Sequence, residues 1–174
     1  MIETERLVLR KPRPEDVDAF LEFVGDAETM RWLGDGPGGH DAAARLVERW
    51  LARWEENRVG YFVVLLDGRA IGRVGLNVWD LGAGDTSTYA LAGEHAQPEL
   101  AWGLTSRYWG RGYATEAARA VRDWARRERA IERPISMIEP ANTASARVAE
   151  RLGAGVEGQV TTVYGPMDVW RHPS

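Results

Sequence analysis

The chain has 174 residues, 44% of them apolar and 28% charged, with a formal net charge of −4 and no cysteine. That length fits one domain, residues 1–174, with a core of its own. The acidic balance argues against general nucleic-acid binding, and the missing thiols exclude a disulfide framework, a thiol nucleophile and a zinc–thiolate site.

No apolar run approaches the ~20 residues that span a bilayer. The opening Met1-Ile2-Glu3-Thr4-Glu5-Arg6 lacks the apolar core of a secretory signal. A cytoplasmic protein with no membrane and no nucleic-acid partner is the expectation. One segment runs against the acidic average: from Arg107 to Arg133, eight arginines stand beside four acids, a net +4. It reads as a solvated helix face or as a dock for a phosphate-bearing partner.

In chain order, Leu7, Val8 and Leu9 read as a strand stopped by Pro12 and Pro14. Residues 14–24 read as a helix, with Val17, Phe20, Leu21 and Val24 on one stripe. Gly34 to Gly39 is a glycine-rich break, expected as a mobile loop. Residues 41–57 carry the clearest helical stripe, from Ala43 through Val47 and Trp50 to Trp54. Residues 61–66 and 70–79 are β-rich runs joined by Asp67-Gly68, a hairpin dipeptide. Residues 81–97 are small and polar and read mainly as loop. Residues 99–104 then read as a central strand and 112–129 as a second strong helix. A short strand over 135–138 and a short helix over 144–152, closed by Gly153, follow. Residues 160–164 and 167–170 complete a hairpin about Gly165-Pro166. This order implies an α/β or α+β domain, one sheet with helices on both faces.

The most informative segment is Arg107-Tyr108-Trp109-Gly110-Arg111-Gly112-Tyr113-Ala114, between the central strand and a helix. Glycine lets the backbone approach a ligand closely. The first helical turn adds unpaired N–H groups and a positive dipole end, a combination that suits a pyrophosphate. The segment is not a P-loop, whose Gly-Lys-Ser/Thr ending is absent. Nor is it a dinucleotide fingerprint, since Thr115 stands where the third glycine or alanine belongs. Taken alone, Gly-x-Gly before a helix also reads as a plain tight turn.

Arg107-x-x-Gly110-x-Gly112 resembles the acyl-CoA pyrophosphate loop of the GNAT acetyltransferases. Downstream, Asn142-Thr143-Ala144-Ser145 and Leu152-Gly153 resemble the block found in the branch that acetylates ribosomal-protein N-termini (RimJ/RimL-like). The opening Glu5-Arg6-Leu7-Val8-Leu9-Arg10 and the closing Val169-Trp170-Arg171-His172-Pro173 are similar to that branch too, so the resemblance spans the chain. Ala154 differs from the large apolar residue usual there, which implies looser packing before the last hairpin. The resemblance implies a GNAT fold: a mostly antiparallel mixed sheet of about six to seven strands, splayed at a bulge, with helices on both faces. It implies an acetyl-CoA-dependent N-acetyltransferase that releases CoA.

By that resemblance the loop from Arg107 and Gly110 through Arg111, Gly112, Tyr113, Ala114 and Thr115 cradles the pyrophosphate. Leu104 and Thr105 offer a strand edge to the pantetheine arm, as in β-augmentation. Asn142 can bond pantetheine amides, or cap the helix that follows. Ser145, one turn on, can serve the departing thiolate, or make a local backbone bond. Glu99 opens the central strand beside Leu100 and Trp102, where burial raises a carboxylate toward a working general base; it also reads as a structural carboxylate. Tyr108 and Tyr164 are alternative acids. Glu116 reads as a helix-dipole acid, and Trp50, Trp54 and Trp124 as core. Trp32 and Trp79 read as an aromatic wall. His40, His95 and His172 have no metal-ligand spacing, so no metal is expected.

The expected reaction is direct acetyl transfer to a primary amine, either a small molecule or a protein N-terminus. The alternative is a non-catalytic acyl-CoA sensor or interaction module. A homodimer, the commonest closed assembly, is the default expectation for association.

Overall fold

A computed structural model describes residues 1–33 and 36–174, so Gly34 and Asp35 of the glycine-rich break lie outside the described residues. The strands are β1 (Ile2–Glu3), β2 (Leu7–Arg10), β3 (Tyr61–Leu66), β4 (Arg69–Asp80), β5 (Asp85–Thr86), β6 (Ala96–Leu104), β7 (Ile135–Ile138), β8 (Gly155–Thr162) and β9 (Gly165–Arg171). The helices are α1 (Leu21–Gly25), α2 (Ala27–Met30), α3 (His40–Asn57), α4 (Tyr89–Ala92), α5 (Tyr113–Arg129) and α6 (Thr143–Arg151). One mixed sheet runs in the order β1-β2-β3-β4-β6-β7-β9-β8, with β5 added on β4. All its pairings are antiparallel except β6 with β7. It is wider than the six to seven strands expected, because two-residue β1 and β5 carry no periodic signal.

Alternate residues of β3 point to opposite faces and meet different cores. Phe62 and Val64 join Leu7, Leu9, Val74, Leu76 and Leu100 beneath Ala117, Ala118, Val121 and Ala125 of α5. Tyr61 and Val63 meet Phe20, Phe23 and Val24 and, from α3, Ala43, Val47 and Trp50. The expected tryptophan core is present. Trp54, Phe62 and Trp124 stand edge to face at 5.0, 5.9 and 5.1 Å, and Trp50 meets Phe20 at 4.7 Å. Among the described residues no helix is long and apolar enough to cross a membrane.

Three expected elements differ. Residues 14–24 form two short 3₁₀ turns and only the first four residues of the five-residue α1. The reason is local: the Asp16 carboxylate accepts from the Arg13 N–H at 2.7 Å and pairs with Arg10, which ties the segment to β2. Residues 81–97 hold β5 and α4, the latter capped by Thr88, whose hydroxyl accepts from the Leu91 N–H at 3.2 Å. The last hairpin turns at Val163 and Tyr164, and Gly165-Pro166 already belongs to β9. β8 begins well before residue 160, because most of this outer strand is exposed and lacks apolar alternation.

The two central strands part almost at once. β6 and β7 share one parallel pair, Glu99 with Ile135. β6 keeps unbroken register with β4 from Ala96 to Leu104; the register shifts lie between Val64 and Leu65 and between Val156 and Gly158.

Candidate active site

The opening beside β6 has a definite polarity. The Thr105 N–H bonds the Ile71 carbonyl at 2.9 Å. Antiparallel ladders turn alternate residues toward opposite neighbours. Odd-numbered residues of β6 therefore face β4, and Leu100, Trp102 and Leu104 present their backbone to the gap. The Leu100 carbonyl accepts the Ser136 hydroxyl of β7 at 2.5 Å, and the Leu104 carbonyl accepts the Trp109 indole at 2.6 Å and the Thr29 hydroxyl at 3.0 Å. The Trp102 N–H and C=O and the Leu104 N–H are left with no strand opposite. Thr105, expected on that edge, has its N–H engaged on β4, and the backbone of Trp102 faces the gap instead.

The gap opens into a cleft of about 780 Å³. One end is the glycine loop. Gly110 and Gly112 have φ of 73° and 82°, a left-handed backbone that branched residues avoid. An added Cβ at Gly110 would meet nothing within 4 Å, and at Gly112 only Arg6 at 3.5 Å, so the loop is an open cradle. Thr115, in the first turn of α5, buries its hydroxyl without a partner and lines the same wall. Arg6 braces the loop by donating to the Arg111 carbonyl at 3.0 Å. Glu116 in turn holds Arg6 at 2.6 Å and accepts from Thr4 at 2.6 Å. Burial opposes ionisation of Glu116, yet the bonds from Thr4 and Arg6 hold its pKa below the usual range. It sits on the first turn of α5, where a helix-dipole acid was expected, and there it braces Thr4 and Arg6 and makes no cap to the helix.

Gly110, Gly112, Tyr113, Ala114 and Thr115 line the cleft, as do Leu104, Asn142 and Ser145. Thr105, Arg107 and Arg111 do not form its wall. Arg107 turns outward to pair with Glu22 at 2.7 Å and to donate to the Tyr108 hydroxyl at 2.7 Å. Asn142 caps α6, its Oδ1 accepting from the Ser145 N–H at 3.1 Å, which leaves its Nδ2 as a donor. The Ser145 hydroxyl has no hydrogen bond to a described residue.

The other half of the cleft surrounds Glu99, 6% exposed. Burial pushes its pKa up to about 7, against the opposing pull of Trp79, Arg73, the Met137 N–H and Asn77. The Met137 N–H reaches Oε1 at a long 3.4 Å. The Trp79 indole N–H is near enough to favour the ionised form, yet falls short of a hydrogen bond. Trp32 and Trp79 do line this half, and Tyr164 stacks edge-on against Trp79 at 6.4 Å.

A cleft with a glycine cradle at one end, an open strand edge in the middle and a buried carboxylate of raised pKa is the arrangement of an acyl-transfer site. Residues 6–155 match the family described as Acetyltransferase (GNAT) domain. The chain belongs to the GNAT acetyltransferases.

This acetyltransferase is 28% identical to the uncharacterized N-acetyltransferase YnaD of Bacillus subtilis strain 168 over 157 residues, 90% of this chain and 84% of that relative. A crystal structure of an acetyltransferase from Agrobacterium tumefaciens strain C58 is 30% identical, with a TM-score of 0.78 over 99% of this chain and 94% of that one. The aminoglycoside acetyltransferase AAC(6')-Ib, solved with paromomycin and acetyl-CoA, shares the fold at a TM-score of 0.78 and 19% identity, over 97% of this chain and 94% of that one.

Sequence reasoning on this acetyltransferase missed Tyr61, Arg73, Asn77 and Trp102, all of which line the cleft. Arg73 and Asn77 alternate with Val74, Leu76 and Val78 along β4. Polar residues in that alternation read as a solvated face, whereas here α3 covers it.

Proposed function

We propose that this acetyltransferase moves the acetyl group of acetyl-CoA directly onto a primary amine, both substrates occupying the cleft together. The observation that carries the reading is Glu99, a buried carboxylate of raised pKa on the wall that continues into the open edge of β6. The cosubstrate fits the residues present. The pyrophosphate suits the left-handed glycine cradle and the partnerless Thr115 hydroxyl, and a pantetheine amide suits the open backbone of Trp102.

Acetyl-CoA supplies, when bound, a thioester whose acyl carbon bonds the amine nitrogen while the C–S electron pair leaves with sulfur. Glu99 takes the proton that the amine must lose, directly or through one water, and returns it to solvent. The Leu104 N–H points into the gap to receive the charge that develops on the acyl oxygen. The Ser145 hydroxyl is available to hydrogen-bond the thiolate and relay a proton to it from solvent, with Asn142 fixing the turn that presents it. The absence of cysteine accords with a route that forms no thioester to the protein. The block from Asn142 to Gly153 supports kinship with the RimJ/RimL-like branch, and the acetyl-CoA requirement supports a cytoplasmic setting.

Incubation with acetyl-CoA and a panel of amines, read by mass spectrometry beside released thiol, tests this. An acetylated amine with equimolar thiol is expected. Tight acetyl-CoA binding with no amine-dependent thiol release would instead support a non-catalytic sensor.

A further inference from the structure

The amine half of the cleft contains a buried charge that the reaction above does not use. Arg73 is 9% exposed, lines the cleft and makes no ion pair with another described residue. Its guanidinium lies over the Tyr61 ring, 3.9 Å from the centroid, and its Nη1 has no hydrogen-bond partner among the described residues. Trp79, 3% exposed, stands in the same wall with its indole N–H on the Glu99 side, near enough to favour the ionised carboxylate. The Arg73 orphan is a donor. Burying a guanidinium costs several kcal/mol unless an anion meets it, and its planar fork matches the paired oxygens of a carboxylate. Arg31 and Arg53 line the cleft as well, and its acids among the described residues are Glu99 and Glu139.

The spacing narrows the anion's bearer. Arg73 and Asn77 lie on the same face of β4, and Asn77 pairs directly with Glu99. Arg73 leans over Tyr61, whose cross-strand partner is Gly75, two residues short of Asn77. Two strand residues span about 7 Å, and the floor between is Ala101, the partner of Gly75. Arg73 and Glu99 thus stand along one wall of one cleft, as an acceptor that carries both a carboxylate and an amine requires. Trp50 and Phe23 leave apolar surface beside it.

We infer that the acceptor is a small amino acid, its carboxylate held by Arg73 and its amine turned to Glu99. The assignment rests on the amine-acetyltransferase reading above. It makes Arg73 a specificity residue, distinct from the base.

The test sets a pool of free amino acids against a pool of their decarboxylated amines, with an aminoglycoside and an amidated peptide as further acceptors. For each acetylated amino acid and its matched amine, the ratio of kcat/KM is measured in the native protein and in Arg73→Gln and Arg73→Lys. The ratio cancels any effect of Arg73 on a shared base. The expected result is a preference of about 10- to 100-fold for the amino acid, the worth of one charge-assisted pair. The preference collapses toward unity in Arg73→Gln through a raised KM, and Arg73→Lys, which keeps charge but loses the fork, is intermediate. Acetyl-CoA affinity measured by calorimetry certifies that each variant is folded, and the ratio in the native protein stands without them. Amines acetylated with no carboxylate preference, a ratio that survives Arg73→Gln, or turnover confined to aminoglycoside or peptide overturns the inference and leaves the enzyme reading intact. Acetyl-CoA binding without transfer to any amine overturns both.

Discussion

The Ser136 hydroxyl donates to the Leu100 carbonyl at 2.5 Å, a side-chain tie between β7 and β6 just where the sheet opens. Having given its proton to Leu100, the hydroxyl receives one from His172 Nε2 at 2.9 Å. That fixes His172 as the neutral tautomer protonated on Nε2, with Nδ1 bare and partnerless. Replacing Ser136 by Ala leaves a buried carbonyl and a buried ring N–H unpaired. The expected loss is about 1–3 kcal/mol, read from urea midpoints, together with a several-fold weaker acetyl-CoA affinity because the edge of β6 is no longer tied. Unchanged values for both would show that the tie holds nothing.

Glu99 gives the reaction a pH signature. A base must be ionised to act, and burial holds this carboxylate at about 7. The kcat/KM for an amine should therefore rise with pH through about 7, a limb far above that of an ordinary glutamate. Glu99→Gln should remove that limb and lower the rate by about 100- to 10,000-fold, the usual worth of a positioned general base. A profile that keeps the limb in Glu99→Gln assigns it to another group.

The same two buried groups pull stability in opposite directions. His172 is fully buried, and burial first, with Arg122 adding to it, lowers its pKa from 6.5 to about 4. Between those values the unfolded chain binds the extra proton, so stability is full above 6.5 and is lost as pH falls toward 4. Glu99 rises from 4.5 to about 7, so the folded state holds the extra proton there, and stability is lost as pH climbs from 4.5 to 7. Each slope is about 1.4 kcal/mol per pH unit where one proton separates the states. They offset in the native protein. Glu99→Gln should expose stability that grows with pH over this window, and His172→Gln stability that falls. Urea titrations at pH 4.5, 5.5 and 6.5 on the three proteins decide it.

What was legible in the sequence followed from strong periodicity or special backbone. The α3 stripe from Ala43 to Trp54 and the α5 stripe from Ala117 to Ala125 have one dry face each, so a 3.6-residue period shows through. Asp67 and Gly68 are both left-handed, at φ of 49° and 79°, as a two-residue hairpin demands. Asn142, Ser145 and the glycines stand in local motifs, so their meeting on one wall could be anticipated from order alone.

The misses share a physical cause. Arg73 and Asn77 look solvated because nothing local tells that α3, some twenty to thirty residues away in the chain, closes over them. Trp102 reads as packing, and half of it is, yet its backbone parity toward the gap depends on the register of β6 with β4. Arg107 fits a motif, but its side chain is claimed by Glu22, 85 residues earlier. Charge at a motif position says little until its partners in space are known.

The glycine loop allows a test that separates backbone strain from lost cofactor space. Gly112 and Gly93 both have positive φ, 82° and 53°, so a branched residue is strained at either. A Cβ at Gly93 would meet nothing within 4 Å, so there too the added group strains only the backbone. Only Gly112 lines the cleft, at the N-cap of α5. Gly93→Val should therefore lower stability by about 1–3 kcal/mol and leave acetyl-CoA affinity within a few-fold. Gly112→Val should cost a similar amount and also weaken acetyl-CoA by about 100-fold or more, because its side chain stands where the pyrophosphate meets the helix N-terminus. Calorimetric titration beside thermal melts of both variants reads the two effects apart. Equal affinities in Gly112→Val and Gly93→Val would remove the cradle from the cofactor site and leave the loop a tight turn.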